Sequence, residues 1–99
     1  MLTHEQIVKA VEKAATKFPL NKVLYFGSYA DGNATEESDL DLLVEFGDDG
    51  SLSLLDIVRL EHNLQDELNI NVDVVEIPLT EKAQKRLIIK NMVSVYDRT

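Results

Sequence analysis

Cysteine is absent from the 99 residues, so neither a disulfide framework nor a thiolate metal site can be built. That usage is compatible with a reducing compartment, and the chain is expected to be soluble and cytoplasmic. Long apolar runs are missing too: none approaches the ~18 residues of a membrane span. The opening "MLTHEQIVKAVEK" has the spacing of an amphipathic helix and not of a secretory signal. Positive charge is scarce. Ten Lys and Arg face eighteen Asp and Glu, a net charge of −8. An extended nucleic-acid surface is thereby disfavoured, since the long-range field repels polyanions. A small nucleotide remains compatible where metal ions offset its charge, and a basic protein partner is favoured. No linker, internal repeat or low-complexity tract interrupts the chain, so residues 1–99 are expected to form a single domain.

Apolar residues make up 44% of the chain, enough for a packed core. Thr3 followed by Gln6 reads as a capping box that opens a helix to about Lys17. Ile7, Val8, Val11, Ala14, Ala15 and Phe18 mark its inner face, and Pro19 ends it. "KVLYF", 22–26, reads as a buried strand. Residues 27–38 are rich in Gly, Ser, Asn and Thr and form a loop with room for one helical turn. "DLDLLVEF", 39–46, alternates as a second strand. Leu40, Leu42, Val44 and Phe46 share one face; Asp39, Asp41, Leu43 and Glu45 share the other. "GDDGS" is a turn cluster. Ser51 or Ser53 caps a helix to about Leu68, with Leu54, Ile57, Val58, Leu64 and Leu68 inward. "INVDVVEI", 70–77, is a third strand closed by Pro78. Thr80 to about Met92 is a last helix through Ala83, Leu87 and Ile88; "VSVYDRT" has no clear assignment. The expected fold class is α+β, with the order α-β-β-α-β-α.

The connections decide where the acids meet. About a dozen turn-forming residues join the first two strands, which favours antiparallel pairing and puts Gly27 and Ser28 near Asp39. A full helix joins the second and third, which favours a parallel right-handed crossover and brings Asp73 near Asp39 and Asp41. Three carboxylates and a Gly-Ser bend then converge. Clustered carboxylates repel one another unless a cation sits among them. Hard oxygen ligands of this kind suit Mg²⁺ or Mn²⁺ held together with phosphate oxygens. Two such ions can serve a phosphoryl-type displacement. Gly27 permits close approach of a phosphate, and Ser28 offers it a hydroxyl and an N–H.

Gly27-Ser28, ten residues, Asp39-Leu40-Asp41 and then Asp73 in "NVDVVEI" resemble the signature of the nucleotidyltransferase superfamily that shares its fold with DNA polymerase beta. The short length and flanking helices resemble the minimal nucleotidyltransferases, antitoxin partners of HEPN toxins. The resemblance covers essentially the whole chain. It implies the polymerase beta-like fold, a small mixed sheet of three main strands flanked by helices. It implies that Asp39 and Asp41 hold two Mg²⁺ ions on the triphosphate of ATP, with Mn²⁺ as a substitute. Asp73 completes the metal site on the acceptor side, and Gly27 and Ser28 contact the β- and γ-phosphates. The implied reaction moves AMP from ATP to a hydroxyl, a tyrosine of a HEPN-type toxin. The alternative from another class is an antitoxin that neutralises its partner by binding alone. One departure stands out. The related pattern Gly-Ser-Arg-x-Arg-Gly here reads Gly-Ser-Tyr29-Ala30-Asp31-Gly32, with an acid and no cation; Lys22 or Arg59 are the chain's own candidates to compensate.

Other uses of these residues fare worse. A calcium loop starting at Asp31 fails, because Glu36 stands where glycine is needed and Leu42 where a bidentate glutamate is needed. His4 and His62 have no paired ligands and read as surface residues. Tyr29 is expected to pack rather than to stack on a base, and Tyr96 to belong to core or interface. Glu36, Glu37, Asp48 and Asp49 read as solvated turns.

Overall fold

The computed structural model describes residues 2–46, 54–77 and 91–98. The capping box forms as read: the Gln6 backbone N–H donates to Thr3 Oγ1 at 3.2 Å and the Thr3 N–H to Gln6 Oε1 at 2.8 Å. It opens helix α1, His4–Ala14, whose buried face is Ile7, Ala10, Val11 and Ala14. Thr3→Ala is expected to cost about 1 kcal/mol, seen as a melting point lower by roughly 4–8 °C. The chain then turns at Pro19 into strand β1, Leu20–Phe26, and makes the single helical turn α2, Ser28–Asp31. Strand β2, Leu40–Phe46, helix α3, Leu54–Leu68, and strand β3, Val72–Ile77, follow.

β1 and β2 are antiparallel and β2 and β3 parallel, both as the connection lengths require. The alternation in β2 is honoured: Leu40, Leu42, Val44 and Phe46 are buried against the helices. Leu43 is buried on the opposite face, between the half-exposed Asp41 and Glu45. In α3 the inner row is Ile57, Leu60, Leu64 and Leu68. Val58, expected inward, stands 38% exposed, because at 100° per residue it falls beside that row and not on it. Asn69, at φ 59°, takes the left-handed conformation that stops α3.

The tail supplies a strand that alternation alone had not assigned. Residues Val93–Asp97 form β4, antiparallel to β1, and the sheet order is β3-β2-β1-β4. Among the described residues the three expected strands are therefore four, and Asn91 and Met92 belong to no helix. The rest of the helix expected over 80–92, the turn at 47–51 and the caps at Ser51 and Ser53 lie outside the described residues. Among the described residues no helix is long and apolar enough to cross a membrane.

Candidate functional site

Strand pairing alone places the carboxylates. Asp41 is opposite Asp73 across the parallel β2–β3 ladder and opposite Phe26 across the antiparallel β1–β2 ladder. Neighbouring strands lie about 4.8 Å apart, so Asp41 and Asp73 present their side chains to one face at close range. Asp39 precedes β2 by one residue and shares that face, its Cα roughly 6.5–7 Å from that of Asp41. Asp39 and Asp73 are exposed and Asp41 is half-buried.

Gly27 closes the site from the β1 side. Its backbone, at φ 74° and ψ −148°, lies in a region that side chains hardly enter. A Cβ there would stand 2.5 Å from Asp41 Oδ2. The acid that packs on the bend is thus Asp41, because Phe26 is in register with it. Ser28 follows as the first residue of α2, half-buried.

The charges behave as a cluster. Partial burial, then Asp73, then Asp39 raise the Asp41 carboxyl above the ordinary aspartate range. Glu61 on α3 is also raised, by burial first and then by Asp73, while His62 opposes the shift. Glu61 escaped the sequence reading, since only the packing of α3 beside β3 brings it near Asp73.

The donor set is open rather than caged. Among the described residues no group of three or more His, Cys, Asp or Glu side chains is gathered closely enough to hold a metal by itself. Paired carboxylates on an open face nevertheless fit Mg²⁺, which keeps waters and takes substrate oxygens as ligands. Beyond Asp39 an open cavity of about 490 Å³ is lined by Glu36, Glu37 and Asp66 and by no Lys or Arg. The acidic lining described there disfavours a polyanion on that side.

The residues around the motif are also placed. Lys22 sits at the far end of β1, four residues or roughly 13 Å before Phe26, opposite Glu45 and Asp97. It cannot stand in for a cation after Ser28. Arg59 is exposed on α3. Tyr29 packs against the core, and its hydroxyl accepts from the Leu2 N–H at 3.4 Å. Glu36 and Glu37 are exposed in a turn closed by Thr35 and Ser38.

Comparison with known proteins bears on this geometry. The family described as nucleotidyltransferase domain matches residues 6–95. A Methanocaldococcus jannaschii protein, provisionally named a protein adenylyltransferase, is 36% identical over 90 residues, 91% of this chain and 95% of the relative. Protein adenylyltransferase MntA of Thermococcus cleftensis is 31% identical over 99 residues, 96% of this chain and 98% of the relative. Among solved structures, a toxin–antitoxin crystal structure with AMP-PNP superposes with a TM-score of 0.73 at 22% identity, covering 97% of this chain and 74% of that one. A complex of the tri-AMPylated HEPN toxin of Shewanella oneidensis with its MNT antitoxin gives 0.70 at 18%, covering 96% and 73%. At those identities the two structures speak for the fold.

Proposed function

The chain belongs to the nucleotidyltransferase family, and from that premise we propose that it is a single-domain, Mg²⁺-dependent protein adenylyltransferase. It transfers AMP from ATP to a tyrosine hydroxyl of a HEPN-type toxin and so acts as an antitoxin. The observation that carries the reading is the Asp41–Asp73 register pair set against Gly27. The names of its relatives, and the AMP-bearing toxin in the Shewanella complex, supply the donor and the acceptor class.

In this reading Asp39, Asp41 and Asp73 hold Mg²⁺, which when bound offsets the charge of the triphosphate and of the leaving pyrophosphate. Gly27 lets the β- and γ-phosphates come close to the backbone, and Ser28 donates its hydroxyl and N–H to them. Asp73, exposed at the rim, faces the acceptor. The acceptor oxygen attacks the α-phosphorus and its proton passes to Asp73. The bond from the α-phosphorus to the bridging oxygen breaks, and pyrophosphate leaves.

The second reading is an antitoxin that works by binding alone, and Asp31, standing where relatives of this pattern carry arginine, favours it. One experiment separates the two. The chain, Mg²⁺, ATP and the toxin are mixed and the toxin is weighed by mass spectrometry. A gain of ~329 Da per transfer is expected for AMP attachment. Full inhibition of the toxin without a gain in mass would select the binding reading.

A further inference from the structure

Asp31 takes the place of the second arginine in the related pattern, and the structure gives it a partner. The side-chain amide of Asn91 donates to Asp31 Oδ1 at 2.9 Å, across sixty residues of sequence. β4 sets Asn91 there. Val93 is opposite Tyr25 in the β1–β4 ladder, so the residues just before it pass the end of β1 where Gly27 leaves the sheet. α2 is one turn long, has no side-chain cap and is too short to hold its own shape. Its backbone ties are the Gly32 N–H to the Ser28 carbonyl, and the Asp31 N–H to the Gly27 carbonyl and the Asn33 N–H to the Ser28 carbonyl, the last two at 2.9 Å. The Asn91 amide adds a charge-assisted bond at the end of this turn.

We propose that Asn91 is a positioning residue of the nucleotide site, fixing the Asp31 carboxylate and, through it, the Gly27–Ser28 bend that receives the phosphates. This rests on the reading of Gly27 and Ser28 as phosphate contacts. A carboxylate engaged by Asn91 stays at the far end of the turn. Released, it is free to swing toward the phosphate chain and repel it. The chain thereby tolerates an acid in the position that the related pattern Gly-Ser-Arg-x-Arg-Gly gives to a cation.

Asn91→Ala is expected to raise KM for ATP about three- to tenfold, the scale of one such hydrogen bond, with kcat changed less than about twofold. In an Asp31→Ala background the same substitution should add nothing. Asn91→Asp alone, which sets two acids face to face, should raise KM. Combining it with Asp31→Asn re-forms the bond in reverse and should bring KM back. Hydrogen exchange gives a readout free of nucleotide: the Asp31 and Asn33 amides should exchange faster in Asn91→Ala. Unchanged KM with unchanged exchange, or additive effects in the Asp31→Ala, Asn91→Ala pair, would overturn the proposal. A wild-type chain that binds no ATP while Asn91→Ala still speeds exchange would overturn the phosphate reading of the bend and leave the tether standing.

Discussion

Replacing Asp39 and Asp41 together by asparagine is expected to lower AMP transfer by ~10³-fold or more, with the protein still folded and its melting temperature unchanged or raised. The two halves of this result have one cause. Asp41 is held half-buried beside Asp73 and Asp39, where its negative charge is disfavoured. Asparagine keeps the shape and removes the repulsion, a gain in the metal-free protein that solvent screening of this part-exposed group holds below about 1 kcal/mol. The sign follows from linkage. A carboxyl raised on folding contributes stability at low pH and loses it as pH rises through the folded-state value. The thermal advantage of Asp41→Asn should therefore be present at neutral pH and fade on acidification toward the ordinary aspartate range. Added Mg²⁺ should stabilise the wild type more than the variant, because the ion takes the place of the missing positive charge. Differential scanning fluorimetry across pH, with and without Mg²⁺, checks all three statements. A variant that transfers AMP at the wild-type rate would remove Asp39 and Asp41 from the site.

Gly27→Ala is the second large effect, and here stability and activity should fall together. The backbone at φ 74° and ψ −148° costs a side chain about 1–3 kcal/mol. The new Cβ would also press on Asp41 Oδ2, 2.5 Å away. Relief requires either the bend or the carboxylate to shift, and both belong to the proposed site. A loss of about 2–3 kcal/mol is expected, a fall in melting temperature of roughly 10–20 °C. At a temperature where the variant is still folded, transfer should drop by about 10²-fold. Gly32 serves as the internal control. It also has positive φ, at 78°, but a Cβ there meets nothing within 4 Å, so Gly32→Ala carries only the backbone term. Equal losses of activity at the two glycines would show that contact with Asp41 is immaterial.

What the sequence made legible is what depends on short-range periodicity and on connection length. Period two in "DLDLLVEF" put Leu40 and Leu42 inward and Asp39 and Asp41 outward. The lengths of the two connections then fixed one antiparallel and one parallel pairing, and with them the meeting of Asp41 with Asp73; the bend, expected near Asp39, lies against Asp41 instead, because the β1–β2 register sets Phe26 opposite Asp41. The strand 93–97 stayed hidden because it alternates only weakly and interleaves Ser94 and Asp97 with its valines. It is a strand because β1 has a second edge to pair, a tertiary cause. Val58 lies beside the inner row because Leu60, one turn from both Ile57 and Leu64, takes the core position. The neighbourhood of Glu61 with Asp73 and the bond from Asn91 to Asp31 join residues far apart along the chain, and nothing local announces such pairs.

The placement of β4 has a consequence for synthesis. All five residues of the proposed site, from Gly27 to Asp73, are added to the growing chain before residues 93–97. During that interval one margin of β1 carries an unsatisfied row of amides and carbonyls, an invitation to any foreign extended segment. The chain is thus stickiest until residues 93–97 pair, and their pairing both seals that margin and brings Asn91 to the bend.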